Sequence, residues 1–351
     1  MSVAYKAVGW NRNKLIYDAV AVAAIFGFVE TFIQLAPAFA PAGPPLDDQA
    51  VHMRAWGGCA FLLTSLVLCI GPLARLDARF LPLLYNRRHL GVMTALVALA
   101  HASYVLGWYF GFSPVDPYVA LLSSNTSYTR IAGFPFEVFG VAALLILGVL
   151  ASTSHDFWLA FLTPPLWKAI HISIYAAYAL VVAHVALGAM TMPYNGPLAI
   201  VVGGGVLCVA CLHLAAAAIG ARADAPAQPS DDGWLDVGDP SSIRDGRAVV
   251  VPVASGESIA VFRDKDRFSA IANACAHQNG PLGEGRIVDG CVTCPWHGYQ
   301  YRPEDGVSPP PFTEKVATYR LRLEGGLLQV DPRPNAPGAF VPPLLVPGGA
   351  A

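Results

Sequence analysis

Charged residues are scarce in this sequence. Asp, Glu, Lys and Arg make up only 13% of the 351 residues, about half of the roughly 25% that is usual in a soluble domain. Hydrophobic residues make up 55%, which excludes a disordered chain and an ordinary soluble enzyme. Positive charge is not in excess either, since the net charge is -2. A nucleic-acid-binding protein needs a basic face. We therefore expect no nucleic-acid partner.

Two other features are missing. The seven cysteines are odd in number and lack the dense spacing of a small secreted disulfide scaffold, so most of them are apolar fillers or metal ligands. A phosphate-binding glycine loop for a flavin or nicotinamide is not visible. The run Gly203-Gly204-Gly205 lies inside a hydrophobic stretch, where small residues favour helix packing.

The charges divide the chain into two regions. Residues 1–220 contain ten Lys/Arg and eight Asp/Glu, whereas 221–351 contain twelve and sixteen. The first region has six apolar stretches of the length that spans a bilayer, at about 15–38, 54–76, 88–110, 131–153, 166–191 and 197–220. We predict a membrane α-helical bundle of six transmembrane helices (1–220), a Pro/Ala linker (221–232), a small all-β domain (233–332) and a Pro/Gly-rich tail (333–351).

The cations of the first region predict its orientation in the membrane. Arg12 and Lys14 precede span one, and four arginines lie at or near the loop between spans two and three, while the loops after spans one, three and five carry few cations. By the positive-inside rule the N-terminus is cytoplasmic. Six spans return the chain to the same side, so we expect a multi-pass protein of the cell inner (plasma) membrane whose β domain is also cytoplasmic.

The β domain contains two Cys/His pairs. Cys275 and His277 form a Cys-x-His pair, and Cys294 and His297 stand in the run Cys-Pro-Trp-His-Gly. Two such loops can hold a [2Fe–2S] cluster, with the cysteines on one iron and the histidines on the other. A structural zinc site is the alternative, although its paired ligands are usually two or more residues apart. These motifs, with Gly280-Pro281-Leu282 and Asp305-Gly306, resemble the Rieske ferredoxin family over about 233–332.

The resemblance also predicts the kind of cluster. High-potential members of that family have a disulfide between the two loops, but Gly280 and Trp296 stand at those positions, and Tyr299 stands where they have a hydrogen-bonding serine. Fewer donors to the sulfurs favour the oxidised form. The resemblance therefore implies a low-potential cluster of the oxygenase-ferredoxin kind. Cys291 is interpreted as a buried strand residue.

Histidines are placed in depth-matched pairs in the membrane region. His89 and His101 lie in span three, and His171 and His184 lie in span five. Their spacings of twelve and thirteen residues separate the paired rings by about 18–20 Å along the helix axis, which predicts two stacked bis-histidine sites, His89 with His171 and His101 with His184. Neither spacing places both histidines on one helix face, so a local distortion or a tilt is required. His89 has the alternative of an interfacial side chain, and the other three that of a hydrogen-bonded core residue.

A second resemblance accompanies these histidines. The runs Arg87-Arg88-His89-Leu90-Gly91, Ala151-Ser152-Thr153-Ser154 and Trp167-Lys168-Ala169-Ile170-His171 are similar, in order and spacing, to the ferric reductase-like transmembrane domain family. This resemblance implies haem b as a cofactor. In one branch of the family the position of His89 is apolar, so the number of haems is one or two. Two acidic residues of the membrane region are left outside the predicted site. Glu30, in the middle of span one, is interpreted as a proton relay, a quinone contact or a neutral hydrogen-bonded carboxyl, and Glu137, at the start of span four, as a residue that favours a helix N-terminus.

These features lead to a functional hypothesis. We expect an electron-transfer oxidoreductase in which a cytoplasmic reductase or a quinol reduces the cluster, and electrons continue through the haem to an unidentified acceptor. The alternative is a membrane-tethered Rieske ferredoxin or redox sensor without haem. An oxygenase component is disfavoured, because its mononuclear iron site of two histidines and a carboxylate has no evident soluble domain.

Overall fold

The chain forms a helical unit and a β-rich unit that meet between Ala217 and Ala218. The computed structural model describes residues 12–39, 47–112, 114–131, 133–154, 158, 162, 164–191, 196–223, 227, 229–230, 232–254, 257–277, 279–295 and 298–346. The helices are α1 (Arg12–Phe39), α2 (Asp48–Leu76), α3 (Leu81–Phe112), α4 (Pro117–Ser123), α5 (Glu137–Ser152), α6 (Pro164–His171), α7 (Ile174–Leu187) and α8 (Gly196–Ala223).

Among the described residues, five helical segments are long and apolar enough to cross a membrane, and α5 is a shorter apolar helix of 16 residues. The protein is therefore a multi-pass membrane protein. Span four was predicted at 131–153, but its helix begins only at Glu137, because Pro135 lies just before it and favours an extended residue in front of it.

Span five is not one continuous α-helix. The helix α6 ends at His171, and α7 begins at Ile174. Ser173 occupies the start of α7 and its hydroxyl donates to the carbonyl of Ile170. The break lies between His171 and His184, in a span for which a local distortion or a tilt was expected.

The helices pack through small and apolar side chains. Ile25 and Val29 of α1 lie against Ala55 and Cys59 of α2 and Val97 of α3. A second cluster joins α2, α7 and α8 and includes Phe61, Tyr178 and Val202. Within it the Ser65 and Tyr178 hydroxyls are hydrogen-bonded at 3.0 Å, so both buried polar groups have a partner.

The β-rich unit is built from short antiparallel strands, which confirms the predicted small all-β domain. They are β1 (Leu235–Gly238), β2 (Ala248–Val251), β3 (Ile259–Asp264), β4 (Arg267–Ala272), β5 (Arg286–Val288), β6 (Cys291–Thr293), β7 (Gln300–Tyr301), β8 (Thr318–Tyr319), β9 (Leu321–Glu324), β10 (Leu327–Val330) and β11 (Leu344–Leu345). Three sheets result, with orders β1-β10-β9, β11-β4-β3-β2 with β8 also on β4, and β5-β6-β7. The core includes Ile259, Phe262, Phe268 and Tyr301, each at most 1% exposed.

The described part of the C-terminal tail, which ends at Val346, contacts this unit. Strand β11 pairs with β4, and the Asn335 side chain donates to the carbonyl of Thr318 at 2.9 Å. The tail thus adds a strand to the β domain that was predicted to end at 332.

A buried carboxylate stabilises the end of β10. The Asp331 side chain is 2% exposed and accepts hydrogen bonds from Arg333 at 2.8 and 3.0 Å, with Arg320 at 3.5 Å. Hydrogen bonds from Arg333 hold the pKa of Asp331 below its usual range. A lowered pKa stabilises the folded state above the unfolded pKa, and this stability is lost as the pH falls through the folded pKa.

We therefore expect Asp331→Asn to destabilise the β unit at neutral pH by about 1.5 kcal/mol, the order of a charged hydrogen bond. The difference from wild type should narrow on acidification, because the wild-type carboxylate is then protonated as well. Urea titrations of the full-length protein at several pH values, followed by cluster absorbance, measure this difference. A difference that is constant with pH would contradict the assignment.

Candidate redox centres

The first predicted loop lies between β4 and β5. Its ends are joined by a bridge between Ala274 and Pro281, and the Cys275 N–H donates to the carbonyl of Gly280 at 2.9 Å. Asn279 has a positive φ of 57°, a conformation that asparagine tolerates better than most residues. The turn leaves the Cys275 thiol 1% exposed, and the Nδ1 atom of His277 is shielded from solvent.

The second loop joins β6 to β7. The Cys294 N–H donates to the carbonyl of Tyr299 at 2.7 Å, and the Gly298 N–H donates back to the carbonyl of Cys294 at 2.8 Å. Gly298 has a φ of 69°, which glycine adopts without strain. Cys294 is 3% exposed. Trp296 and His297 lie outside the described residues.

Tyr301 links the two loops. Its hydroxyl lies 3.3 Å from the Cys275 sulfur, and its surroundings include the Cys294 sulfur as well. Burial, and then the charge of Cys275, raise the pKa of Tyr301, so the phenol remains protonated and can donate. The sequence prediction of few donors to the cluster missed this residue, which comes from a strand and not from a ligand loop.

Tyr299 contacts the first loop through His277. Its ring stacks on the His277 ring at 4.3 Å with an interplanar angle of 12°, and its hydroxyl donates to Glu314 at 2.9 Å. Burial and this hydrogen bond raise the pKa of Tyr299. The residue therefore fixes the plane of a predicted ligand, a different role from that of the serine in high-potential members.

The described donors fit a [2Fe–2S] cluster. Two buried cysteines, neither in a disulfide, and one histidine are presented by two tight loops joined through Tyr301. Thiolate sulfur and imidazole nitrogen are the ligands of this cluster type. Cys291 lies on strand β6 as expected, but it is half-buried and not buried.

We expect Tyr301→Phe to lower the reduction potential of the cluster. A hydrogen bond to a ligand sulfur stabilises the reduced, more negative state, and its loss removes about 1 kcal/mol, which amounts to a few tens of millivolts. Redox titration followed by EPR measures the potential, with Tyr319→Phe as a control at another buried tyrosine of the same core. A potential equal to that of wild type in Tyr301→Phe would contradict this role.

In the helical unit, the structure brings two of the four predicted histidines together. The His101 and His184 rings lie 6.3 Å apart between centroids, at an interplanar angle of 79°. A metal ion held by two imidazole nitrogens at about 2 Å each separates such rings by about 6 Å. The pair therefore has the spacing that a bis-histidine haem requires.

Both rings of this pair are oriented in the same way. The Nδ1 atom of His101 bonds the carbonyl of Met53 at 2.9 Å, and that of His184 bonds the carbonyl of Phe136 at 3.0 Å. A ring that donates through Nδ1 keeps Nε2 unprotonated and able to bind a metal. This is the arrangement expected of haem ligands.

Each ring also lies against a glycine of the neighbouring helix. A Cβ atom at Gly57 of α2 would lie 2.9 Å from His101 Nδ1, and one at Gly140 of α5 would lie 2.8 Å from His184 Nδ1. Each glycine follows the accepting carbonyl by four residues. The absence of a side chain therefore exposes a carbonyl that a larger residue would cover.

The two halves of this site, one around His101 and one around His184, have the same residue spacing in the sequence. Both carbonyl-to-histidine contacts join residues 48 apart, and both glycines lie in the same place between them. The helix pairs α2–α3 and α5–α7 thus repeat one motif, and the histidines meet between the two copies. Sequence reasoning missed this repeat, although the equal spacing of Gly57 with His101 and of Gly140 with His184 could have revealed it.

Filling either glycine should displace a ligand. We expect Gly57→Ala and Gly140→Ala to weaken haem binding about 10–100-fold, the usual cost of disturbing a group that orients a metal ligand. Gly58→Ala in α2 and Gly148→Ala in α5 are matched controls, because a Cβ there meets nothing within 4 Å. Haem titration of the four variants measures the difference, and equal affinities in all of them would contradict the packing argument.

The other two predicted histidines have polar partners of their own. The Nδ1 atom of His89 is hydrogen-bonded to the Asp18 carboxylate of α1 at 2.9 Å. His171 stacks on Trp167 at 3.9 Å, and its Nε2 lies 3.2 Å from the Thr153 hydroxyl. Asp18 was not recognised from the sequence. Haem binding by His89 and His171 stays a prediction.

A multi-pass helical unit with an oriented histidine pair, joined in one chain to a β unit with two cysteine loops, defines a membrane redox protein. The chain belongs to the Rieske [2Fe–2S] domain family, which it matches over residues 233–320, and residues 56–182 match the ferric reductase like transmembrane component.

Known relatives resemble the C-terminal part. The chain is 38% identical to the anthranilate 1,2-dioxygenase ferredoxin subunit of Burkholderia cepacia (22% of this chain, 74% of the relative) and 30% identical to the alkene monooxygenase ferredoxin component of Xanthobacter autotrophicus (31% and 91%). It is 30% identical to the chloroplastic chlorophyllide a oxygenase of Oryza sativa subsp. japonica over 33% of this chain, and spans only 22% of that protein.

Proposed function

We propose that this oxidoreductase transfers electrons between a cytoplasmic Rieske [2Fe–2S] cluster and one or two transmembrane b-type haems, and on to an unidentified acceptor. When bound, the cluster and the haem supply one-electron redox chemistry. The observation that carries the proposal is the His101–His184 pair, whose Nδ1 atoms are both engaged by backbone carbonyls. A structural role would not require both rings to present Nε2.

The residues of the chain have distinct parts in this function. Cys275, His277, Cys294 and His297 hold the cluster, and Tyr301 donates to the Cys275 sulfur. His101 and His184 hold a haem within the membrane, and His89 and His171 hold the second where it is present. The likeness to two ferredoxin components over most of their length favours a carrier of electrons over an enzyme that binds an organic substrate.

The cluster receives its electrons from outside the chain. No fingerprint of a flavin or nicotinamide site is visible in the sequence, so the donor is a soluble cytoplasmic reductase or a membrane quinol. We propose that the protein lies in the plasma membrane with the N-terminus and the Rieske domain in the cytoplasm, as the arginines between spans two and three indicate.

Electron transfer across a sealed bilayer tests this function. The full-length protein is reconstituted into liposomes that contain ferricyanide, and dithionite is added outside. We expect trapped ferricyanide to be consumed by the wild-type protein and to persist with His184→Ala. A membrane-tethered ferredoxin without haem would leave the ferricyanide oxidised in both preparations, and that result would contradict the proposal.

A further inference from the structure

The redox assignments leave one buried acidic residue unexplained. Glu137, the first residue of α5, is 5% exposed. It follows Phe136, whose carbonyl accepts the Nδ1 hydrogen bond of His184 and whose ring lies 5.3 Å from the His184 ring. Glu137 is thus the next residue after the carbonyl that orients a predicted haem ligand.

Three donors converge on one oxygen of this carboxylate. The Asn125 amide donates to Glu137 Oε1 at 2.5 Å, the Tyr109 hydroxyl at 3.1 Å and the Ser124 hydroxyl at 3.2 Å. An oxygen that accepts three hydrogen bonds is a stronger acceptor when it carries negative charge. An ionisable side chain inside a membrane protein is a candidate for a functional role.

The donors connect the two halves of the haem site. Tyr109 lies near the end of α3, the helix that carries His101, and Ser124 and Asn125 follow α4. Glu137 therefore joins the His101 helix to the turn that orients His184. At the equivalent place in the other repeat, directly after Met53, stands Arg54, which is exposed. The two half-sites have the same geometry but opposite charges, and only the negative one is buried.

We propose that Glu137 tunes the haem held by His101 and His184, as a fixed negative charge that lowers its reduction potential. A negative charge in a medium of low dielectric opposes the addition of an electron nearby, and the charge around a haem is one of the means by which a protein sets its potential. This inference rests on the proposed function, because it needs a haem at this pair. Glu137 is a positioning and tuning residue and ligates nothing.

Spectroelectrochemical titration of the haem at one fixed pH tests the proposal in the full-length protein. Glu137→Gln keeps an acceptor for the three donors and removes the charge. We expect it to retain haem and to shift the reduction equilibrium at least tenfold towards the reduced form, which is about 59 mV for one electron. The potential of the Rieske cluster in the same sample should stay unchanged and serves as the internal control.

Tyr109→Phe gives a second test, in which the haem potential should shift in the opposite direction from that of Glu137→Gln. It leaves the carboxylate in place but removes one donor, so the charge is less neutralised and we expect the haem potential to fall. This variant decides the question if Glu137→Gln fails to bind haem. The proposal would be overturned if the variants that bind haem had the wild-type haem potential. It would also be overturned if Glu137→Gln and Tyr109→Phe shifted that potential in the same direction. Absence of haem from the wild-type protein would overturn the proposed function instead.

Discussion

Replacing either residue of the central histidine pair should remove a haem outright. We expect purified His101→Ala and His184→Ala to lose the haem held between α3 and α7, because each ring supplies one of two axial nitrogens and no other described histidine lies against the pair. His89→Ala should only weaken binding of the haem that His89 is predicted to share with His171. The His89 ring lies nearer the membrane interface, where a water molecule can take its place. The pyridine haemochrome assay gives haem per chain for each variant.

His213→Ala is the matched control for this series. His213 also lies in a membrane helix, but its Nδ1 bonds the carbonyl of Val209 in its own helix and its Nε2 meets the Tyr175 hydroxyl at 3.0 Å. Both ring nitrogens are thus engaged, and we expect its haem content to equal that of wild type. Unchanged haem in both His101→Ala and His184→Ala would reject the bis-histidine assignment and return the helical unit to the role of an anchor.

Cysteine substitutions should remove the iron–sulfur cluster and leave the haem in place. We expect Cys275→Ser and Cys294→Ser to abolish the EPR signal of the reduced cluster, because each removes one of two thiolates from the same iron. The haem content should remain at the wild-type level, since the haem ligands belong to the helical unit. Iron and acid-labile sulfide analysis on the same samples quantifies the loss.

Cys291→Ser is the control for the cluster ligands. Cys291 lies three residues before Cys294, but on strand β6 and before the ligand loop. Its variant should retain the cluster and its EPR signal. A cluster retained in Cys294→Ser, or stoichiometric zinc in place of iron in the wild-type protein, would contradict the assignment.

The sequence predicts the ligands but not the groups that orient them. Cys275, His277, Cys294 and His297 are close in sequence within two short loops, so their spacing alone predicts a cluster. Tyr301 donates to a sulfur 26 residues away, and Met53 and Phe136 orient histidines 48 residues away. Contacts between separate elements depend on tertiary packing, which residue spacing does not specify.

Depth along the bilayer predicts His101 opposite His184, and the structure places their rings 6.3 Å apart between centroids. Haem binding by this pair stays a prediction. Rotation about the helix axis is less predictable from the sequence in span five, because residues 172–173 interrupt its helix. Glu137 was judged a helix-start residue, and it does begin α5, but its three donors come from Tyr109, Ser124 and Asn125, which only the folded chain brings together.

One chain that holds both a Rieske cluster and a b-type haem should show both centres in a single preparation of the full-length protein. The pyridine haemochrome assay measures the haem, and EPR of the reduced sample measures the cluster. We predict one histidine-ligated [2Fe–2S] cluster and one or two haems per chain. An intact cluster with no haem would contradict this account and establish a membrane-tethered ferredoxin.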